Sequence, residues 1–142
     1  MLHLVHPARD LSSLPAPAPL VELSGEAGAA RVSFAVSLLR RAQLEGETTA
    51  WIQKEDGMLY PPDLDAAGVD LDALVVVRLP DSAGPESPFR AAEMLLRSGA
   101  FGLLVIDVRG GPSRVHPSVQ GRLLGAAREH RSRVLFLTDK TD

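Results

Sequence analysis

The sequence predicts an α/β domain with a mainly parallel, five-stranded sheet covered by helices on both faces. Three observations predict it. From residue 20 onward, short runs rich in Val, Ile and Leu alternate with stretches in which apolar residues recur at 3.6-residue spacing. Two of the short runs, Leu74-Val75-Val76-Val77 and Leu103-Leu104-Val105-Ile106, are apolar without a break, the pattern of strands buried on both faces. Aromatic residues make up only 4% of the chain, so the core must be built from Leu, Val, Ile and Ala. That composition suits strands under Ala- and Leu-rich helices better than a β-sandwich. Strict alternation of the two patterns implies right-handed βαβ units.

Composition narrows the function classes. A chain of 142 residues fits one domain with a real core. It has no cysteine, which excludes disulfides and thiolate metal sites and fits a reducing compartment. A net charge of -3 gives no global pull toward nucleic acid. Met1 to Pro7 has neither a basic start nor a long apolar stretch, so no signal peptide is expected. No apolar run approaches the ~20 residues of a membrane span, and a cytoplasmic protein is the expectation. His3, His6, His116 and His130 are scattered without metal-ligand spacing, and no metal site is expected.

Taken in order, residues 1–19 read as an N-terminal arm. Leu2, Leu4 and Val5 suit a short strand, and Leu14-Pro15-Ala16-Pro17-Ala18-Pro19 suits a stiff polyproline leader or a disordered tail. The core domain is assigned to residues 20–142. Leu20 to Leu23 is its first strand, followed by a Gly-rich turn. A helix is expected from about Arg31 to Glu45, with Phe34, Leu38, Leu39 and Ala42 on one face and Gly46 as its stop. Thr48 to Ile52 is the second strand, and a helical turn near Leu64 to Ala67 ends at Gly68. Leu74 to Val77 is the third strand. A helix over Phe89 to Ser98 is capped by Gly99, with Ala92, Leu95 and Leu96 inward. Leu103 to Asp107 is the fourth strand. A loop containing Gly110-Gly111-Pro112 and His116-Pro117 leads to a helix over Ser118 to His130, and Val134 to Leu137 is the fifth strand.

Ligand chemistry would sit at the first turn. A strand, a Gly-rich loop and a helix N-terminus aim backbone N–H groups and the helix dipole at one point, which suits phosphate. A phosphate-binding P-loop reads G-x-x-x-x-G-K-[ST]. The eight residues here are Gly25-Glu26-Ala27-Gly28-Ala29-Ala30-Arg31-Val32. Gly25 fits. Ala30 replaces the second glycine, Arg31 the lysine, and Val32 the hydroxyl that would hold magnesium. Arg31 keeps a charge but not a compact ammonium. Glu26 adds a negative charge beside the phosphate position.

Several longer phrases resemble the RecA-like family. They are Leu20-Val21-Glu22-Leu23-Ser24-Gly25, Arg40 to Gly46, Ala50-Trp51-Ile52, Ala67 to Leu74, and Leu95 to Phe101 followed by the strand that ends in Asp107. Arg90 to Leu103 and Gly125 to His130 are similar to the ImuA branch, accessory proteins of damage-induced mutagenesis that act beside a Y-family polymerase relative. SulA, a division inhibitor, is another shortened RecA relative that the chain resembles less specifically. The resemblance implies a RecA-like P-loop NTPase core shortened at the C-terminus, with the five strands ordered 3-2-4-5-1. Leu20 to Leu23 would then lie at an edge unless the arm covers it, and an exposed edge invites pairing with another chain.

Carried over residue by residue, the resemblance places Glu55 at the water-activating glutamate and Asp107 at the acid of the magnesium shell. Asp139 stands where the family has a γ-phosphate-sensing glutamine. Each position also has a plain structural reading. Glu55 is a solvated turn charge, Asp107 a strand-end cap, and Arg31 an ion-pair partner for Glu26 or Glu55. Arg109, Arg114, Arg122, Arg128, Arg131 and Arg133 give the last third a basic bias, and the resemblance places Gly110 to Arg114 near the family's first DNA-binding loop, with Arg109, Arg114 and Arg122 as candidate DNA contacts, although no aromatic platform accompanies them. Phosphoryl transfer depends on positioning and charge stabilisation. Two acids and Glu26 without the lysine and hydroxyl do not supply these, so catalytic residues and a cofactor (ATP with magnesium) are not expected. The expectation is a non-catalytic interaction module in the SOS response or translesion mutagenesis. Its partner would be an ImuB-like polymerase relative, RecA or a second copy. The alternatives are a weak ATPase, a DNA-binding accessory and a SulA-like division inhibitor.

Overall fold

The computed structural model describes residues 2–5, 20–23, 28–57, 59, 61–108 and 116–138. Each apolar run becomes a strand: β1 (Leu2–Val5), β2 (Leu20–Leu23), β3 (Thr49–Lys54), β4 (Leu74–Leu79), β5 (Leu103–Asp107) and β6 (Arg133–Leu137). Between them lie four helices, α1 (Gly28–Leu44), α2 (Pro61–Ala66), α3 (Ser87–Arg97) and α4 (Pro117–His130). The strands form one sheet in the order β1-β2-β6-β5-β3-β4. Every neighbouring pair is parallel. The five core strands therefore stand in the order that the resemblance implied, and the arm adds a sixth.

The arm covers the edge at Leu20–Leu23, the alternative left open above: β1 pairs with it in parallel register, Leu2 opposite Leu20 and Val5 opposite Leu23. One expectation needs correction. The run Leu74–Val77 is not buried on both faces. It opens an edge strand, and Val75 remains 41% exposed. A continuous apolar run records residue type, whereas burial depends on where the strand falls in the sheet.

The period of two along each strand divides the core into two clusters. Val21, Trp51, Leu103, Val105, Leu135 and Leu137 meet Phe34, Ala35, Leu39 and Ala42 of α1 and Leu64 of α2. Leu20, Ala50, Ile52, Leu104, Ile106, Val134 and Phe136 point the other way and meet Phe89, Ala92 and Leu96 of α3 and Val119, Leu123 and Ala126 of α4. Phe89 and Phe136 pack with ring centroids 6.4 Å apart. Each fully buried Leu, Ile or Phe is worth about 1.5–3 kcal/mol, so the two faces rather than helix propensity hold the layers together.

The helix ends follow from local chemistry. Gly46 (φ +85°) and Gly99 (φ +73°) take the left-handed conformation that follows α1 and α3. At Gly99 a Cβ would also stand 3.1 Å from His130 Nδ1. Gln43 fastens α1 to the segment before β4. Its Oε1 accepts the Asp70 N–H (2.8 Å), and its Nε2 donates to Asp70 O (2.9 Å) and to Thr49 Oγ1 (3.1 Å).

His116, read from the sequence as a loop residue, is the N-cap of α4. Its Nδ1 accepts the Ser118 N–H at 3.1 Å, which satisfies one of the helix's free donors. His116→Ala is expected to cost about 1 kcal/mol and His116→Asn almost nothing, as read by thermal denaturation. Equal losses for both would remove the capping account.

Candidate functional site at the carboxyl end of the sheet

Because all strands are parallel, their carboxyl ends share one edge of the sheet, where the first residues of α1 also lie. Open α/β sheets bind ligands at that edge. The candidate residues fall on it unequally.

Helix α1 begins at Gly28, the fourth of the eight residues that match the phosphate-loop pattern. Its first turn therefore already contains Ala30 and Arg31, and only residues 24–27 separate it from β2. Gly25 lies outside the described residues, with Ser24, Glu26 and Ala27. Val32 is half-buried in the helix, and Ser33, one place on, is exposed. Past the first four residues of a helix, each N–H bonds to the carbonyl four residues back. The amide of Val32 is thus drawn into the helix rather than left for a ligand.

Asp107 closes β5 and is buried, with 6% of its surface exposed. It stands opposite Leu137 of β6. On the other side Ile106 is opposite Ile52, which puts Gln53 of β3 beside Asp107. Strand alternation turns both side chains toward the α1 face, with Trp51 and Val105. Glu55 is exposed in the turn after β3, and its backbone N–H donates to Leu79 O at 3.0 Å. Lys54 beside it lies 4.0 Å from Asp81.

Gln53 was not singled out in the sequence. It is fully buried, and its Oε1 accepts the Trp51 indole N–H (3.1 Å) and the Leu59 N–H (3.3 Å). Its Nε2 has no partner among the described residues. Gly57 packs so closely that a Cβ there would stand 2.5 Å from Gln53 Oε1. Gln53 thus pins the loop that carries Glu55. The signal was present: a buried indole N–H needs an acceptor, and two positions along a strand is the nearest residue on the same face.

Arg122 is exposed on α4, against the face of the sheet opposite α1. Arg109, Arg114 and Asp139 lie outside the described residues. Among the described residues no group of three or more His, Asp or Glu side chains is placed to hold a metal ion. No described helix is long and apolar enough to cross a membrane.

No protein-family model matches the chain. Among curated proteins it is similar to RecA of Saccharopolyspora erythraea, 32% identical over 127 residues, covering 82% of this chain and 36% of that protein. It is also similar to RecA of Clostridium acetobutylicum, 33% identical over 118 residues, covering 76% of this chain and 33% of that protein. The chain thus spans about a third of the length of the curated relatives it matches. Among solved structures its fold is similar to SulA from Pseudomonas aeruginosa, with a TM-score of 0.67 and 17% identity, covering 86% of this chain and 98% of that one.

Proposed function

Starting from a chain of the RecA-like superfamily, we propose that it is a non-catalytic interaction module of the DNA-damage response. It works by binding a protein partner, and its resemblance to the ImuA branch points to a polymerase-like partner in translesion mutagenesis. The observation that carries this reading is the start of α1. The helix begins inside the would-be phosphate loop, and Ala30, Arg31 and Val32 occupy the positions of glycine, lysine and hydroxyl.

A nucleotide with magnesium does not fit that donor set. The cation's ligand would be the half-buried, apolar Val32. Hard cations of this kind take oxygen donors. Asp107 and Glu55 then offer negative charge toward a polyanion without the lysine that offsets it. The similarity to RecA proteins supports a DNA-damage setting, while the phosphate loop argues against transfer of ATP chemistry. Titration of ATP and magnesium into the protein is expected to give no binding heat. Micromolar binding, or hydrolysis lost on Asp107→Asn, would replace this reading with that of a RecA-type ATPase.

A second reading, a SulA-like division inhibitor, is favoured by one specific observation. The chain covers 98% of the solved SulA chain, a match in extent that RecA does not give. Expression of the protein in its host separates the two. Filamentous cells support the SulA-like reading. Normal division with altered damage-induced mutation supports the mutagenesis reading.

A further inference from the structure

We infer that the joined outer faces of α3 and α4 seat an acidic amphipathic helix of a different protein. This deepens the interaction-module reading and rests on it.

The two helices lie side by side on one face of the sheet. Phe89, Ala92 and Leu96 of α3 and Val119, Leu123 and Ala126 of α4 fill the same cluster. Each helix links two strands of a parallel sheet, α3 from β4 to β5 and α4 from β5 to β6. Both therefore run against the strand direction and parallel to one another. Their last turns meet, since a Cβ on Gly99, just past α3, would stand 3.1 Å from His130 Nδ1 at the end of α4. Two helices packed in this way leave a groove between their outer sides. No described residue covers that surface, and Met94, within α3, is 74% exposed on it.

Charge selects the occupant. Arg90 and Arg97 are exposed on α3, Arg122 and Arg128 on α4, and Arg131 just after it. The carboxylates of this surface are Glu129 and the half-buried Glu93, which pairs with Arg97 at 2.9 Å. Five cations against two carboxylates leave it at +3, in a chain whose total is -3. The carbonyl end of a helix favours cations, which accounts for Arg97 and Arg128. It does not account for Arg122, in the middle of α4, or for Arg90, in the first turn of α3, where the helix dipole disfavours a cation. Arg90 donates from one nitrogen to Ala83 O at 3.2 Å and stays exposed. A helix in the groove lays carboxylates beside these guanidinium groups, which bind them in forked pairs, and sets an apolar side chain on Met94. Arginine and methionine are enriched where proteins meet, and an amphipathic helix in a groove is a recurrent mode of recognition. Nucleic acid fits less well. It offers Met94 no apolar partner along its backbone, and it carries charge on every side. The segment leading into α3, residues 54–86, holds eight carboxylates and two cations, and so repels it.

The test uses the full chain, labelled with 15N, and the synthetic peptide Glu-Leu-Ala-Glu-Glu-Leu-Ala-Glu-Glu-Leu-Ala-Glu, which places leucine on one stripe of a helix and glutamate on both flanks. Saturable shifts confined to residues 90–97 and 121–131 are expected, weakening as salt rises. Arg122→Gln with Arg128→Gln should lower affinity about threefold to tenfold while the spectrum of the free protein keeps its dispersion. The same residues reordered so that the leucines point to all sides should lose most of the binding, since charge alone is then left. Equal binding of the reordered peptide, shifts centred on residues 70–81, or tighter binding of a single-stranded oligothymidylate than of the peptide at α3 and α4 would each overturn the inference. None of these outcomes involves ATP, so binding of ATP in calorimetry remains the separate sign that the interaction-module reading itself has failed.

Discussion

Gln53→Ala is expected to lower the unfolding free energy by about 3 kcal/mol, because two buried donors lose their acceptor and each such orphan costs about 1–3 kcal/mol. The donors are the Trp51 indole N–H and the Leu59 backbone N–H, which meet at Gln53 Oε1. Trp51 is fully buried between α1 and the sheet, so water cannot replace the lost oxygen without opening that layer. Trp51→Phe removes one donor and keeps most of the packing, and should cost less than half as much. Urea denaturation measures both. The chain has a single tryptophan, so its fluorescence reports the same site in the Gln53 variant, with emission moving to the red as the loop loosens. A loss below 1 kcal/mol for Gln53→Ala would mean that the amide is not what holds residues 55–59.

At the opposite end of the sheet, Gly102→Ala is expected to cost about 2–3 kcal/mol by overpacking. Gly102 is held on both sides, its N–H donating to Thr48 O (2.8 Å) and its carbonyl accepting from Arg133 N (2.9 Å). Glu47 lies across its bare Cα and pairs with Arg133 at 3.1 Å. A Cβ on Gly102 would overlap the Glu47 carboxylate, and even the Glu47 Cβ would stand only 2.7 Å away. Glu47→Ala alone should cost less than about 1 kcal/mol, since both partners of that ion pair are roughly 30% exposed and screened by water. In the Gly102→Ala background, Glu47→Ala should recover part of the loss but not all of it, because the Glu47 Cβ remains. Full recovery, or none, in a double-mutant cycle would contradict the geometry.

The strands were legible because a buried strand must be apolar, and every apolar run of the core sequence became one. Helix ends at Gly46 and Gly99 were legible because each glycine takes a left-handed conformation. Pairing was harder to read. Nothing in Leu2–Val5 says which strand it joins, since a four-residue apolar run carries no address. The depth of β4 was over-read for the same reason. At the candidate site, the changes at Ala30, Arg31 and Val32 were visible as residue types. The early start of α1 was not, because Ala29, Ala30 and Arg31 suit a helix as readily as a loop. Gln53 and Gly102 escaped notice because their importance lies in one close neighbour each, Trp51 and Glu47, and a composition or a period does not report neighbours.

The place of β6 has a consequence for how the protein is made. β6 lies between β2 and β5. It comes last in sequence among the six described strands, yet it joins the first two of them to the rest. Until Arg133–Leu137 has emerged, β1 and β2 have no sheet to enter, and β3, β4 and β5 lack the neighbour that covers β5. The growing chain must therefore carry β1 and β2 uncommitted while residues 24–132 are synthesised. Contacts of such high sequence separation slow folding. Unpaired strands in that interval are open to chaperones and proteases, so the abundance of this protein in the cell should follow the speed of one late pairing more closely than the stability of the finished sheet.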